Sequence, residues 1–535
     1  MKHSKTLKRA LALLSAAALI LSLSACGSSS DTDSDTSSAS EESSTESTAH
    51  LNFACYNYSN SLDPITNVNS SWCGVRYGVT ECLFRFNADV EVEYALCDSY
   101  ETEDYQTWVL HIREGVQFSN GNELTASGVL ASLERLYAAE ADGTGNSTPS
   151  QYVTFTDMSA DDEAGTVTLV CSSVTVNLPG ILAYPWYAVV DTSVIDDEVI
   201  GTGPYYVTEL VENSYINFAK NEYYWDGEVP YDTYTAYLTE DSSTKAMALQ
   251  SGDVDLVENI TTASDLEALM EDDDYYVSVT AGVRLGNTYF NFNGVLANEA
   301  LRQAIQYAVD DETMCNITVA GMYTAGCSVL PSSLSYGYDE LTDPYEYNME
   351  AAIAVLDEAG IVDTDGDGYR ELDGEMISLN YIAYSSRNLN DFAEAVAISL
   401  ESIGIKCTVT VQDYDTALAN QSDGNFDMIT SNAIVVPTGD PTGFLGNFYS
   451  GNSDAYGYYS NADYDAAYEA LLATTDEDEQ YELIVELQQI LIDDAATLVH
   501  GYYNSTMASA VDKVTGADIT PMDYYWITTA IAPVS

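Results

Sequence analysis

Hydrophobic and polar residues alternate over a short run near residue 110, and a helical spacing follows directly. In "TWVLHIRE", Trp108 and Ile112 fall on one face with Leu110, which is the two-residue period of a half-buried strand. The Asn-Gly pair at 120–121 is a strong turn signal. Thr125 can then cap a helix, because apolar residues recur after it at helical spacing through Leu136. The pattern predicts a strand, a turn and an amphipathic helix.

The second half of the chain alternates between helix-like and strand-like patterns. The strand-like run "IKCTVTVQDYD" lies in this half, and "SYINFAK" is a strand-like run of the first half. Four helices are predicted: Leu296–Val309, a helix from the cap Asn348 to Gly360, about Asp391–Ser402, and Glu477–Leu491. No internal repeat of a solenoid or propeller period is present in the sequence. This alternation predicts an α/β fold class.

The N-terminus has the pattern of an export signal. "MKHSKTLKRA" carries four basic residues and no acid, and an apolar run of fifteen residues follows it. The run ends in "LSAC", which resembles the lipobox of bacterial lipoproteins and makes Cys26 the predicted lipidation site. The alternative is an ordinary secretory signal with an incidental cysteine. Residues 1–25 are therefore predicted to be a lipoprotein signal peptide, which places the protein on the extracellular face of a bacterial cell membrane, or on the periplasmic side in a Gram-negative cell.

Residues 26–49 are rich in serine and acids and contain no aromatic residue. Such a segment cannot bury enough apolar surface to offset the entropy of ordering, so we expect a disordered, acidic tether. No later run is long and apolar enough to cross a bilayer.

The charge excludes one class of partner. The chain of 535 residues has a formal net charge of −69. It will repel phosphates, so nucleic-acid binding is not expected. The acids are scattered, which is typical of a solvated surface; a preference for cationic ligands stays open.

Eight cysteines follow Cys26, and none forms a Cys-x-x-Cys pair. An exported protein could oxidise some of them. Cys171 and Cys407 lie in strand-like runs and could instead be small buried hydrophobic residues. The sequence leaves any pairing open.

A set of ordered motifs resembles family 5 of the bacterial extracellular solute-binding proteins, the peptide- and nickel-binding subunits of ABC importers. The resemblance covers essentially the whole chain after the tether. The motifs that carry it are, in order, "SLDPITN", "TWVLHIREGVQFSNGNELTASGV", "GTGPYYV", "NEYYWDG", "LQSGDVDLVENI", "ALRQAIQYAVD" and "DTDGDGYRELDGE".

The resemblance implies a two-lobed α/β fold of the type II periplasmic-binding-protein kind, which closes on its ligand at an interlobe cleft. Lobe I would cover residues 50–283, with an extra subdomain at about 88–199. Lobe II would cover 284–498, and 499–535 would return to lobe I. The chain would cross between lobes near "VRLGNTYFNFN" and "LVHGYYNSTMA".

The resemblance also implies a receptor that catalyses nothing and needs no cofactor. It would capture short peptides by cleft closure and deliver them to membrane permease subunits. Nickel or another metal chelate, or another small non-peptide solute, is the alternative ligand; a surface sensor or adhesin is the alternative from another class. The sequence contains no Gly-x-Ser-x-Gly elbow, His-Glu-x-x-His or phosphate loop to favour an enzyme.

Ligand contacts are expected from the resemblance in the segment Ser431–Phe448, where Asn432, Thr438 and Asp440 are candidates. In peptide-binding members an acid there takes the peptide amine, a contact that needs a carboxylate. Asp440-Pro441 matches the end of that motif, but Pro437 occupies the place of the acid. Asp440 either substitutes for it or caps a turn.

Aromatic residues complete the candidate site. Trp72, Tyr184 and Trp186 fall where family members place cleft residues, and they could stack on a ligand or simply pack in the core. Tyr184 stands where nickel-type members carry a carboxylate-binding arginine.

Metal ligation is not predicted. His50, His111 and His500 have no ligand spacing with one another. "DTDGDG" begins like a calcium loop, but residue 374 is glycine and the acid comes one position late at Glu375, so we interpret the stretch as a hairpin turn.

Overall fold

The computed structural model describes residues 49–194, 199–452 and 456–534. The predicted signal peptide, Cys26 and all of the predicted tether except residue 49 lie outside the described residues. Within the described ranges the chain forms the strands β1 His50–Cys55, β2 Phe84–Phe86, β3 Val92–Tyr94, β4 Cys97–Glu101, β5 Thr107–Ile112, β6 Phe155–Asp161, β7 Thr166–Cys171, β8 Tyr205–Val211, β9 Tyr215–Lys220, β10 Thr233–Leu238, β11 Leu256–Glu258, β12 Tyr275–Phe290, β13 Tyr323–Thr324, β14 Glu371–Leu372, β15 Glu375–Met376, β16 Ser378–Tyr384, β17 Lys406–Gln412, β18 Met428–Ile434, β19 Thr497–Ala510, β20 Val514–Thr515 and β21 Ala532–Pro533.

The α-helical segments in the same ranges are α1 Val68–Arg76, α2 Ala126–Asp142, α3 Leu178–Ile181, α4 Ser242–Ser251, α5 Ala263–Met270, α6 Glu299–Ala308, α7 Asp311–Thr313, α8 Met349–Glu358, α9 Leu389–Ser402, α10 Tyr414–Asp423, α11 Thr442–Leu445, α12 Ala462–Ala473 and α13 Glu477–Asp493. None of the helices described here is both long enough and apolar enough to span a bilayer.

One mixed sheet of eleven strands runs through the molecule. Its order is β17-β16-β18-β12-β19-β11-β1-β10-β9-β8, and β13 pairs with β19 beside this path. The two longest strands, β12 and β19, pair antiparallel near its middle. Because strands from distant parts of the sequence meet on either side of this pair, the β12–β19 ladder joins the two halves of the sheet. The two chain crossings predicted from sequence fall largely in these strands.

The β12–β19 ladder is interrupted at two points, between Ala281 and Leu285 and between Gly286 and Asn287, and the first interruption is the longer on β12. Ala281 pairs with Asn504 and Leu285 pairs with Tyr502, so residues 282–284 lie opposite a single residue. Such a β-bulge bends a strand and re-aims the side chains that it carries. Arg284 is the last residue of this irregular stretch, and on its other side it pairs with Ile434 of β18.

The strand, turn and helix predicted near residue 110 are confirmed. β5 belongs to a separate four-stranded antiparallel sheet in the order β4-β5-β7-β6, and Trp108 is buried at 1% exposure. Thr125 caps α2 by accepting a hydrogen bond from the Gly128 amide at 3.1 Å. Gly143 ends the helix at φ 71°, the left-handed geometry that glycine tolerates. Burial of one strand face against this helix explains the alternation in the sequence.

The four helices predicted in the second half are present with shifted ends. α6 begins at Glu299, not Leu296, because the Asn298 side chain caps it by accepting from the Leu301 amide at 3.0 Å. Asn348 caps α8 as predicted. α9 starts at Leu389 and α13 extends to Asp493. The α/β class is therefore confirmed, while the start of α6 needed the competing cap.

Candidate functional site

A small cavity lies beside the β12–β19 ladder, next to the bulge. Its volume is about 20 Å³, room for little more than one water molecule. Strands β11, β12 and β19 line it together with the C-terminal segment, the turn before α9 and the segment after β1. The lining residues are Asn57, Glu258, Asn259, Arg284, Arg387, Tyr503, Ser505, Thr506, Ile519 and Asp523. Charged side chains of both signs therefore meet at one place from four of these six segments.

Arg76, at the end of α1, is an arginine beside this cavity that has an acid partner, although its Nη1 is buried without a hydrogen bond. Its side chain is 1% exposed, and its Nη2 lies 2.7 Å from the Asp523 carboxylate. Its Nε donates to the Asp523 carbonyl at 2.8 Å. The guanidinium also stacks over the Trp526 ring at 4.3 Å. Asp523 thus lines the cavity already neutralised.

Arg284, on the bulge of β12, has no such partner. Its guanidinium lies 5.6 Å from the centre of the Trp72 ring, within cation–π range. Its Nε is buried without a hydrogen bond, and no ion pair within the described part of the chain includes it. Burial, and after it the nearby Arg387, lowers the pKa of Arg284 to about 10. The charge is kept at physiological pH but is poorly compensated.

Arg387 approaches the same cavity from the turn before α9. Its backbone has φ 51° and ψ 43°, and Asn388 follows at φ 58°. Left-handed backbone in two successive residues other than glycine is uncommon and is enriched at binding sites. The Tyr323 hydroxyl holds this turn by donating to the Arg387 carbonyl at 2.8 Å. The guanidinium lies 5.5 Å from the centre of the Tyr503 ring.

Glu258 is the second acid of the cavity, and the protein satisfies it. Its carboxylate accepts hydrogen bonds from the backbone amides of Tyr56 and Asn57. Lys245 lies alongside and donates to the carbonyls of Glu258 and Asn259 at 2.6 and 2.8 Å. Burial raises the pKa of Glu258, opposed by the charge of Lys245. Both acids of the cavity therefore have internal partners.

The three aromatic residues predicted from sequence lie together in one cluster. Tyr184 and Trp186 meet edge to face at 5.1 Å, and Trp72 lies 6.4 Å from Tyr184 and 5.5 Å from Tyr524. The indole nitrogens of Trp72 and Trp186 are buried without a hydrogen-bond partner. Trp72 connects this cluster to Arg284, whereas none of the three lines the 20 Å³ cavity itself.

Asn432 lies close to the same machinery. It pairs with Gly286 of β12, two residues from Arg284. Its Nδ2 donates to the Tyr323 hydroxyl at 3.2 Å, and that hydroxyl in turn holds the Arg387 carbonyl. Asn432 is therefore placed to position Arg387.

Thr438 and Asp440 lie elsewhere. The Thr438 carbonyl accepts from the Asn177 side chain at 2.9 Å. Asp440 accepts from the Thr442 amide at 2.7 Å, the turn-capping contact weighed in the sequence, and burial raises its pKa. Neither lines the arginine cavity. Their role in binding stays a prediction.

His500 and the eight described cysteines have structural surroundings. His500 is fully buried, stacked on Phe392 and bonded to Thr288 at 2.8 Å, with Asp311 on its other nitrogen. All eight described cysteines are free: Cys171 is buried, and Cys407 is half-buried. Packing rather than oxidation accounts for them.

The "DTDGDG" stretch forms a turn before the β14–β15 hairpin. Asp363 accepts from the amides of Gly366 and Gly368 at 2.6 and 3.0 Å. Four carboxylates of this stretch each have an oxygen within 4.8 Å of an oxygen of the others: Asp363, Asp365, Asp367 and Glu371. Glu375, the acid that comes one position too late for a calcium loop, lies on β15 instead.

A larger cavity of about 290 Å³ lies near β2 and the C-terminal segment. Its charges are already paired: Arg85 bonds Asp226 at 2.8 Å, and buried Glu81 accepts from Trp225 at 2.9 Å and Thr202 at 2.7 Å. Size favours this cavity, but unsatisfied charge favours the smaller one beside β12. We take the smaller cavity as the candidate site.

The sequence interpretation missed the charged residues of this site. Glu258 lies in the motif "LQSGDVDLVENI" and Arg284 in the predicted chain crossing "VRLGNTYFNFN", and neither was given a ligand role; Arg387 lies outside every motif that was singled out. One signal was available: only sixteen basic residues occur in the chain, four of them in its first ten positions. An arginine in an apolar strand of such an acidic protein is therefore unusual.

The long ladder shared by the two halves of the sheet is the architecture of a two-lobed α/β binding protein. The chain belongs to the bacterial extracellular solute-binding proteins, family 5, whose middle-region model matches residues 91–456. Members of this family present their ligands to ABC permeases.

Similar proteins bind different solutes. The nickel-binding protein NikA of Staphylococcus aureus is 24% identical over 460 residues, covering 85% of this chain and 89% of that protein. Di/tripeptide-binding protein 1 of Pseudomonas aeruginosa is 25% identical, covering 74% and 78%. The structure of NikA from Brucella suis in complex with Fe(III)-EDTA superposes with a TM-score of 0.80 at 22% identity, over 91% of this chain and all of that one.

Proposed function

We propose that this receptor captures short peptides at the cavity beside the β12 bulge. The supporting observation is the charge of the lining: Arg284 and Arg387 suit a carboxylate, while Glu258 and Asp523 would meet an ammonium group by exchanging their internal partners for it. A short peptide carries both groups. The similarity to a di/tripeptide-binding protein agrees with this ligand class.

Binding requires the two lobes to separate. A volume of about 20 Å³ has no room for a peptide, so the described form corresponds to a closed cleft. The proposed hinge is the β12–β19 ladder at the interruption opposite Tyr503. Opening there would widen the cavity, and closure would bury the ligand against the arginines.

A metal chelate is the second candidate, because the S. aureus relative binds nickel. Among the residues that the structure describes, no histidine lines the cavity, and His500 is engaged with Thr288, Asp311 and Phe392. A metal would therefore enter inside an organic chelator, whose carboxylates the arginines would hold.

We assign the chain no catalysis and a lipid anchor at Cys26. The hydroxyls lining the cavity belong to Ser505, Thr506 and Tyr503, and no histidine lies beside them there, so the lining provides no nucleophile–base pair of the usual kind. The lipobox-like "LSAC" supports anchoring. Changing Cys26 to serine is expected to abolish incorporation of labelled palmitate and to release the protein from the membrane fraction; unchanged labelling would refute the anchor.

The test of the ligand class is direct identification. The protein is purified gently and denatured, and the released small molecules are identified by mass spectrometry. A spread of short peptides supports the proposal. A metal with an organic chelator, or one defined non-peptide solute, overturns the peptide assignment while keeping the receptor. A protein that is empty, and that gains no thermal stability from peptides or chelates, argues for a sensor or adhesin.

A further inference from the structure

The larger cavity, of about 290 Å³, is lined by a different part of the chain from the candidate site. The end of α1, strand β2, the segment after β9 and the C-terminal segment all contribute to it. None of the described residues that line it also lines the cavity beside β12. Pockets that hold small molecules begin at about 300 Å³. The cavity is therefore large enough for a small ligand of its own.

Apolar and aromatic residues make up more than half of the lining of this cavity. The rings are those of Phe84, Phe86, Tyr224 and Tyr525, and Val75 and Ile527 also line it. Contact with such a wall removes apolar surface of a ligand from water, and the faces of aromatic rings attract a positive charge. The wall therefore suits an apolar molecule that carries a positive charge better than it suits an anion.

Two carboxylates line the cavity, and they differ in their partners. Asp226 forms an ion pair with Arg85 at 2.8 Å, and Glu93 bonds the same guanidinium at 3.4 Å. Among the described residues, no ion pair includes Glu81. Burial is the largest influence on the Glu81 carboxyl and raises its pKa. The charge of Glu81 thus has no cation bonded to it within the described part of the chain.

The two carboxylate oxygens of Glu81 are used unequally. Oε2 accepts from the Trp225 indole at 2.9 Å and from the Thr202 hydroxyl at 2.7 Å, and both donors are neutral. Oε1 accepts only a long bond among the described residues, from the Tyr224 hydroxyl at 3.4 Å. Thr80 also lines the cavity, is 1% exposed and has a buried hydroxyl without a partner. Two consecutive residues of the wall therefore have unused capacity for hydrogen bonds.

We infer that this cavity is a second binding site, which takes a small organic cation with a primary ammonium group and a compact apolar body. The ammonium donates to Glu81 and Thr80, and the body packs against the rings of Phe84, Phe86 and Tyr525. This site goes beyond the proposed function and does not depend on it, because it shares no described lining residue with the cavity beside β12.

Three probes of similar size separate the charge from the apolar contact. Phenethylamine is the cation, phenethyl alcohol is its neutral counterpart, and phenylacetate is the anion. Binding is measured by calorimetry on the full chain purified in detergent, after unfolding and refolding to remove any bound ligand. The amine is expected to bind the parent at least about tenfold more tightly than the alcohol, because its hydrogen bond to a carboxylate is charge-assisted.

Three variants locate the probe. Glu81→Gln keeps an oxygen acceptor for Trp225 and Thr202 but removes the charge. Ala88→Trp adds a ring at an exposed position of the lining, where it should fill the cavity with little strain. Glu258→Gln makes the matched change of a buried acid in the cavity beside β12. Unfolding midpoints without ligand show that each variant is folded.

The preference for the amine over the alcohol should persist in Glu258→Gln and fall below about threefold in Glu81→Gln. Ala88→Trp should weaken binding of both probes at least about tenfold. Amine and alcohol that bind the parent equally, or phenylacetate that binds more tightly than either, overturn the cation assignment. Amine binding that is lost in Glu258→Gln and kept in Ala88→Trp places the probe beside β12 and overturns the second site, as does no binding of any probe. Peptide capture is measured separately, so it is left standing by each of these results.

Discussion

Two regions of the molecule hold an arginine in different ways: Arg302 is buried, and Arg284 is half-buried with its Nε enclosed. Arg302 of α6 is 4% exposed, and its nitrogens donate to the carbonyls of Leu296 and Ala297 and to Asp494. It also lies 4.5 Å from the Phe292 ring. Arg284 shares only the aromatic contact, with Trp72 at 5.6 Å. Among the described residues, each guanidinium nitrogen of Arg302 donates a hydrogen bond within the protein. The guanidinium of Arg284 donates none to them.

We interpret the difference as one between a structural arginine and one that a ligand would use. Arg302 ties the turn before α6 to the segment before β19. Arg284 has no such hydrogen bonds among the described residues, and under the proposed function a ligand anion would compensate its charge. Substitutions at the two positions should therefore change different properties.

The largest effect is expected for Arg302→Met. It leaves two carbonyls and the partly buried Asp494 without their donor, so the free energy of unfolding should fall by about 3 kcal/mol. Urea unfolding of the ligand-free protein measures it. A loss below about 1 kcal/mol would mean that the network is redundant. Ligand affinity in the folded fraction should be unchanged.

Arg284→Met should reverse that outcome. Removing a poorly compensated charge is expected to raise the free energy of unfolding by about 1 kcal/mol in the absence of ligand, since hydrophobic replacement of a buried charge is commonly stabilising. Binding should be lost. A destabilisation comparable to that of Arg302→Met would show that Arg284 has structural partners after all.

A pH effect should distinguish the two regions further. Burial raises the pKa of Glu258, so the folded state holds this proton more tightly than the unfolded state, whose carboxyl has a pKa of 4.5. Stability from this group is thus lost as pH rises above 4.5 through the raised value, by at most about 1.4 kcal/mol per pH unit. Glu258→Gln should flatten that part of the curve; an unchanged slope between pH 4.5 and 7 would contradict the assignment.

The smallest effect is expected for Arg85→Gln. Arg85 is 41% exposed, and its pairs with Asp226 and Glu93 lie largely in solvent. Exposed pairs contribute about 0.5 kcal/mol or less. Urea unfolding should place this variant within that margin of the parent, which makes it the baseline for the other three.

Local signals made much of the fold predictable. Thr125 and Asn348 cap their helices as predicted. A serine, threonine or asparagine followed by apolar residues at helical spacing is a local signal for the start of a helix. The family resemblance supplied the two-lobed fold. The start of α6 moved only because Asn298 offered a better cap than the residues before it.

The site was less predictable, for a physical reason. Trp72, Tyr184 and Trp186 were expected from the resemblance as ligand contacts; the structure places them in one cluster outside the cavity lining, and their role in binding stays a prediction. Arg284 was missed because it is distinguished by the absence of an ion-pair partner. Whether an acid from a distant part of the chain reaches it depends on how six separate segments pack around the cavity. No local pattern in "GVRLGN" carries that information.

The interrupted ladder has a mechanical consequence. β12 has 16 residues and β19 has 14, and hydrogen bonds between them make a stiff two-stranded beam about 50 Å long. We expect the ladder to bend where strand pairing is lost. Opposite Tyr503 the pairing is lost at residues 282–284, and Arg284 is the last residue of that interruption. Under the proposed function, Arg284 would bind the charged group of the ligand and would also lie where the ladder bends. Ligand binding and bending of the ladder would therefore act on the same guanidinium.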